Sequence, residues 1–153
     1  LFVGYYKQDP ADAFDRDGFF HTGDLGRLDE RGALHFVGRL KDVIKSAGVN
    51  IAAAEIEAVL LAHPAVGAAH AVGVPDPLRG ENVAAFVVPK APVTVDALLA
   101  HCRDALAAYK VPRHLWVRRE DELPQKGSGK VDKPRLREEA ARLAAATADA
   151  VPP

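Results

Sequence analysis

Four stretches carry the residue types for chemistry on an anionic, hydroxyl-rich ligand. In Thr22-Gly23-Asp24-Leu25 a carboxylate stands just before a strand-like run, beside a glycine that lets a ligand approach the backbone. Asp24 could accept hydrogen bonds from a ribose diol, or satisfy its own backbone as a turn residue. Between Gly38 and Gly48, Arg39 offers a bidentate fork for phosphate or carboxylate, while Lys41 and Lys45 are point charges. On one continuous strand Arg39, Lys41, Val43 and Lys45 would share a face and line up three cations; the alternative is an edge strand guarded by lysines. In residues 125–132 two glycines make a deformable loop that ends on Lys130, within reach of an anion. A phosphate loop of the G-x-x-x-x-G-K-[ST] kind is excluded, because Pro124 and Val131 occupy two of its required positions. The fourth stretch is Arg79-Gly80-Glu81, with Asp76 nearby, between two apolar runs; a connection of this kind at a sheet end is more often a plain turn.

The elements that must position these groups follow from periodicity. Residues 1–23 hold Tyr5, Tyr6, Phe14, Phe19 and Phe20 among turn formers, with Asp15-Arg16-Asp17-Gly18 as a turn. Strands are expected at 25–28 and 33–37, joined through Gly32 as a hairpin. Ile56, Val59, Leu60 and His63 mark one face of a helix over 52–63, stopped by Pro64. Apolar runs at 66–74 and 83–88 read as strands buried on both faces. Thr94 is placed to cap a helix carrying Val95, Leu98, Leu99, Cys102 and Leu106 on one stripe, so Cys102 reads as a core residue. A short strand at 114–117, a polar loop over 120–131 and a helix opened by Asp132 and Pro134 complete the chain. The fold class is therefore α+β: a three-stranded sheet flanked by helices plus a β-hairpin, preceded by another hairpin.

Composition narrows the partners. The 153 residues have a net charge of −1 with 27% charged residues, which gives no global case for nucleic acid or an anionic membrane. A single cysteine cannot form an internal disulfide, and a reducing cytoplasm fits it. No run approaches the roughly 20 apolar residues of a membrane span, and no secretory leader is evident. The chain has no methionine and opens in mid-pattern, so a piece of a longer protein is expected.

In order along the chain, Gly18-Phe19-Phe20-His21-Thr22-Gly23-Asp24, Gly38-Arg39-Leu40-Lys41-Asp42 with Ile44-Lys45 and Gly48, Ala54-Glu55-Ile56-Glu57, Val74-Pro75-Asp76 with Gly80-Glu81, Tyr109-Lys110-Val111-Pro112, and Leu123-Pro124 with Gly127-Ser128-Gly129-Lys130 resemble the signatures of the adenylate-forming superfamily. That superfamily comprises acyl-CoA synthetases, the adenylation domains of peptide synthetases and beetle luciferases.

The resemblance implies a two-step ligase. A carboxylate attacks ATP to give an acyl-adenylate and pyrophosphate, and a thiol then displaces AMP. It implies that Asp24 binds the ribose, that Arg39 contacts ATP or AMP, and that Lys130 bridges the carboxylate and the α-phosphate. Lys41 is the implied pivot of a small domain that rotates between the two steps. Lys45 then enters the site as a second catalytic residue, and Ser46, Ala47 and Gly48 line the tunnel for the pantetheine of coenzyme A. Arg79, Gly80 and Glu81 are further candidate cofactor contacts. No metal ligand is assigned to this chain, because the implied Mg²⁺ ligand, the phosphate-binding loop and the acyl pocket belong to an N-terminal domain. The implied organisation is 1–38 as the end of that domain, 39–48 as hinge and thiol loop, 49–145 as lid domain, and 146–153 as a disordered tail. The chain alone is expected to be inactive. Free coenzyme A is the expected acceptor; a carrier protein, or a non-catalytic interaction module that keeps the fold, are the alternatives.

Overall fold

The computed structural model describes residues 6–7, 9, 11 and 13–148; the expectations placed on Tyr5 and on 149–153 lie outside them. The chain divides into two compact units, residues 1–41 and 42–153.

In the first unit, β1 (Asp24–Leu28) and β2 (Leu34–Arg39) form an antiparallel hairpin. One local device is used twice. Asp15 Oδ1 accepts from the amides of Asp17 and Phe19, and its Oδ2 lies 3.0 Å from His21 Nε2. Asp29 Oδ1 accepts from Arg31 and Ala33, and its Oδ2 lies 2.8 Å from His35 Nε2. The underlying D-x-x-G-x-x-H pattern is a short repeat. Gly18 and Gly32 take positive φ in these turns, as the reversal requires. Backbone amides from Phe19 and a hydrogen bond from His35, respectively, lead in holding Asp15 and Asp29 below the usual carboxylate range.

The second unit is α+β. Its strands are β3 (Val43–Ser46), β4 (Val49–Ala52), β5 (Val66–Asp76), β6 (Gly80–Pro89) and β7 (His114–Val117); its helices are α1 (Ala53–Ala62), α2 (Val95–Ala105) and α3 (Lys133–Ala148). The antiparallel pair β5–β6 and the parallel pair β6–β7 form the expected three-stranded middle. The β3–β4 hairpin extends it to five strands through the pairing of Ser46 with Gly80.

Alternation along β6 explains the layers. Val83, Ala85 and Val87 join a core with Ile56 and Leu60 of α1 and Leu98 and Cys102 of α2. Ala84 and Phe86 join the other core with Leu136 and Ala140 of α3. Because both faces are covered, the strand is apolar at nearly every position. Thr94 Oγ1 accepts the Ala97 amide and caps α2 as expected. Cys102 is fully buried, and that burial pushes its thiol pKa up.

Three expectations change. No single strand runs from Arg39 to Lys45: β2 ends at Arg39, a 3-10 turn covers Leu40–Asp42, and β3 starts at Val43. The row of three cations on one face therefore does not form, because the turn breaks the period-2 register. The stretch 120–131 is also not an unstructured loop. It contains a 3-10 turn at Glu120–Glu122 and a hairpin closed by a bridge between Gln125 and Val131. The helix α3 runs on to Ala148, three residues into the span assigned to a tail.

Candidate active site

Asp24 and Arg39 are cross-strand partners in the β1–β2 hairpin, and Arg39 Nε lies 3.1 Å from Asp24 Oδ1. Both side chains are partly exposed, so a ligand can compete for either group. Lys41 closes the first unit and Asp42 opens the second.

In the second unit β3 and β4 are joined by two residues, Ala47 and Gly48, with φ of 49° and 79°. Positive φ at both central positions is the signature of a type I′ hairpin turn, whose twist matches that of the strands. Gly48 therefore has a backbone reason to be glycine, beyond any steric demand of a ligand channel. A Cβ at Gly48 would meet no atom within 4 Å.

This turn is fixed to the β5–β6 turn. The Ala47 amide donates to Arg79 O at 2.7 Å, and the Lys45 amide donates to Glu81 Oε2 at 2.7 Å. Asp76 shapes the β5–β6 turn by accepting from the amides of Leu78 and Arg79 and from Asn82 Nδ2. The Arg79 amide contributes most to holding its carboxyl below the usual range.

The three candidates at 79–81 thus separate. Arg79 lines a cavity of about 370 Å³ together with Ser46, Asn82, Val83, Tyr109 and Arg113. Gly80 supplies backbone pairing to Ser46. The Glu81 carboxylate is engaged by the Lys45 amide and by Arg137 Nη2 at 3.6 Å, and Glu81 is not among the residues that line this cavity.

The cavity opens where β6 changes partner. β3 pairs with it at Gly80 and β7 from Ala84 to Val87, so the edge around Asn82 and Val83 lacks a strand. Arg79, Arg113, Ser46, Tyr109 and Asn82 are among the residues that line this gap, and the buried Asn82 Oδ1 has no hydrogen-bond partner among the described residues. Such a lining suits a phosphorylated ligand with a ring to stack. Tyr109 is set by its neighbour: Lys110 Nζ binds both oxygens of Glu55, at 2.6 and 2.8 Å, and lies 5.8 Å from the Tyr109 ring centre. The bond to Glu55 raises the Lys110 pKa.

Lys130 lies on a second loop of the same unit. Lys126 donates its amide to Lys130 O at 2.8 Å, Gly129 donates to Lys126 O at 2.9 Å, and Gly129 takes φ of 77°. The Lys130 side chain is exposed and has no ion-pair or hydrogen-bond partner among the described residues. Three residues on, Lys133 Nζ lies 2.8 Å from Glu57 Oε1 and 3.4 Å from Asp42 Oδ2, which ties the root of this loop to α1 and to the segment after Lys41. Spacing alone could not find Glu57, Lys133, Tyr109 or Arg113 as partners of the site. Glu57, Tyr109 and Lys110 did stand inside quoted signatures.

A small α+β unit that presents an unpaired lysine on one loop and a cation-lined cavity beside a tight turn matches one known domain type. Residues 55–130 match the family described as AMP-binding enzyme C-terminal domain, and the chain belongs to the adenylate-forming enzymes that carry it. Among its relatives are the probable CoA ligase CCL9 of Humulus lupulus, 42% identical over 132 residues, and the long-chain-fatty-acid–CoA ligase of Salmonella typhimurium, 43% identical over 142 residues. These alignments cover 84% and 92% of this chain. A solved o-succinylbenzoate CoA synthetase from Bacillus subtilis, in complex with its acyl-adenylate intermediate, superposes with a TM-score of 0.78 at 39% identity, covering 86% of this chain and 27% of that one. The chain spans about a quarter of the length of the curated relatives it matches, 25% of each of these two. Among the described residues no helix is long and apolar enough to cross a membrane.

Proposed function

We propose that this chain works as the C-terminal portion of a cytoplasmic ATP-dependent ligase that adenylates a carboxylic acid and passes the acyl group to coenzyme A. One observation carries the reading. A single folded unit holds two chemically distinct loops, the Lys130 hairpin and the Ala47–Gly48 turn with its cation-lined cavity. A rotation about Lys41 would exchange one loop for the other at a shared reaction centre.

In the first step the substrate carboxylate attacks the α-phosphorus and pyrophosphate leaves. Negative charge builds on the oxygens between them, and the Lys130 ammonium neutralises it. Asp24 receives the ribose hydroxyls and Arg39 the nucleotide. In the second step the thiol sulfur attacks the acyl carbonyl, AMP departs, and Lys45 and Ser46–Gly48 flank the pantetheine arm. Arg79 would receive the phosphates of coenzyme A, and Arg113 and Tyr109, which line the same cavity, support that role. Mg²⁺ would accompany ATP. Its ligand would belong to the N-terminal domain of the whole ligase, and no residue of this chain is assigned to it.

The test is a chimera in which this chain replaces the matching quarter of the Salmonella ligase. The chimera should support ATP–pyrophosphate exchange and thioester formation, whereas this chain alone should support neither. A folded chimera without exchange would refute the proposal.

A further inference from the structure

We propose that Glu81 is a positioning residue for the acyl-transfer step, acting through the Lys45 backbone; the inference rests on the ligase reading above. Three observations converge on its carboxylate. Glu81 Oε2 accepts the Lys45 amide at 2.7 Å across 36 positions of sequence. A charge-assisted bond of this length is stronger than an ordinary amide–carbonyl bond. Arg137 Nη2, on α3, stands 3.6 Å from Oε1 and steadies the other oxygen.

The third observation is the seat. A Cβ built on Gly73 of β5 would lie 2.6 Å from the Glu81 carboxyl carbon and 2.6 Å from Oε2. The carboxylate thus fills the space that any side chain at position 73 would need. Gly73 pairs with Val83 and Pro75 with Glu81, so the seat lies diagonally across the β5–β6 ladder. The φ of Gly73 is not in the left-handed region, and room for Glu81 is the reason for glycine there.

The consequence falls on the turn. Ala47 and Gly48 are reached directly from Lys45 and Ser46, and the turn is held to the β5–β6 connection by the Ala47 amide on Arg79 O, by the backbone pairing of Ser46 with Gly80 and by the Lys45 amide on Glu81 Oε2. Among the described residues, Glu81 is the one anchor made by a side chain. The Lys130 hairpin closes on its own residues. Loss of Glu81 should therefore loosen the thiol-facing turn and leave the adenylation loop in place.

Two measurements test this. In the 153-residue chain, amide exchange at Lys45 should be faster by roughly tenfold or more in Glu81→Ala and in Gly73→Ala, and near wild type in Glu81→Gln, whose amide oxygen still accepts. In the chimera, Glu81→Ala and Gly73→Ala should slow thioester formation by roughly tenfold or more, with pyrophosphate exchange within about twofold of wild type and substantial rescue by Glu81→Gln. Unchanged exchange at Lys45, unchanged thioester formation, or a parallel fall of both half-reactions would overturn the proposal. A wild-type chimera without either half-reaction would instead remove the ligase reading and with it the role in acyl transfer, while Lys45 exchange would still decide the contact itself.

Discussion

Glu57 Oε1 lies 2.8 Å from Lys133 Nζ, so helix α1 is pinned to the first residue of helix α3. The same oxygen accepts the Ala71 amide of β5 at 2.8 Å. One carboxylate therefore joins two helices and the sheet at the base of the Lys130 loop. Both side chains are mostly shielded, at 18% and 24% exposure, which makes this pair worth more than a surface one.

Replacing Lys133 with Met keeps the packed stem and removes the charge, leaving Glu57 and Asp42 without their cation. The expected loss is about 1–3 kcal/mol of unfolding free energy, read from urea titrations. Adding Glu57→Gln should recover part of it, because the orphaned charge goes. A Lys133→Met loss within about 0.5 kcal/mol would show that the pair behaves like an exposed one.

Lys130→Ala should separate catalysis from folding. The side chain is exposed, so stability should stay within about 0.5 kcal/mol. Pyrophosphate exchange in the chimera should fall by about 100-fold or more, the effect of losing one donor to a developing oxyanion.

The Ala47–Gly48 turn gives a prediction about backbone strain. Ala47 sits at φ 49°, where an L-residue costs about 1–2 kcal/mol. Ala47→Asn should raise stability by about 0.5–1 kcal/mol, because Asn-Gly is a favoured type I′ pair. Gly48→Leu should cost about 1–2 kcal/mol through φ alone, since its Cβ points into open space. In the chimera it should suppress thioester formation and spare adenylation. Gly48→Ala, which carries the same φ cost with little bulk, serves as the control: loss of the thiol step in Leu but not in Ala assigns the effect to the channel.

Two histidines set a pH dependence. Burial, partly opposed by the charge of Glu57, pushes the His70 pKa down; burial and then Arg113, opposed by Asp76, do the same to His114. Above the ordinary imidazole value near 6.5 neither the folded nor the unfolded chain protonates them. As pH falls through that value the unfolded chain binds protons first, so stability falls until the lowered folded pKa values are passed. Urea midpoints should decrease from pH 7 to pH 5, and His70→Gln with His114→Gln should flatten the decrease. Asp15, Asp29 and Asp76, whose carboxyls lie below the usual range, remove stability only in a separate, more acidic window.

Features governed by neighbours along the chain were legible from residue types. The Thr94 cap, the burial of Cys102 and the apolar run of β6 follow from a hydroxyl before a helix, a helical stripe and a strand covered on both faces. The break at Leu40–Asp42 was not legible, because Arg39 to Lys45 alternates well enough to pass for one strand. Whether such a run stays extended depends on what each half packs against: β2 pairs with β1, and β3 pairs with β4 and touches β6.

The sequence by itself determined which groups are available, Asp24, Arg39, Lys45, Arg79 and Lys130 among them, and most of the elements that carry them. It did so because helix and strand periods, caps and turns are local. Only the tertiary structure decided what each charge does. Glu81 faces a ligand or the Lys45 amide according to a seat formed by Gly73 across the sheet, and Glu57 is spent on Lys133 from the far end of the unit. Those partners are fixed by strand register and layer packing, which no spacing along the chain encodes.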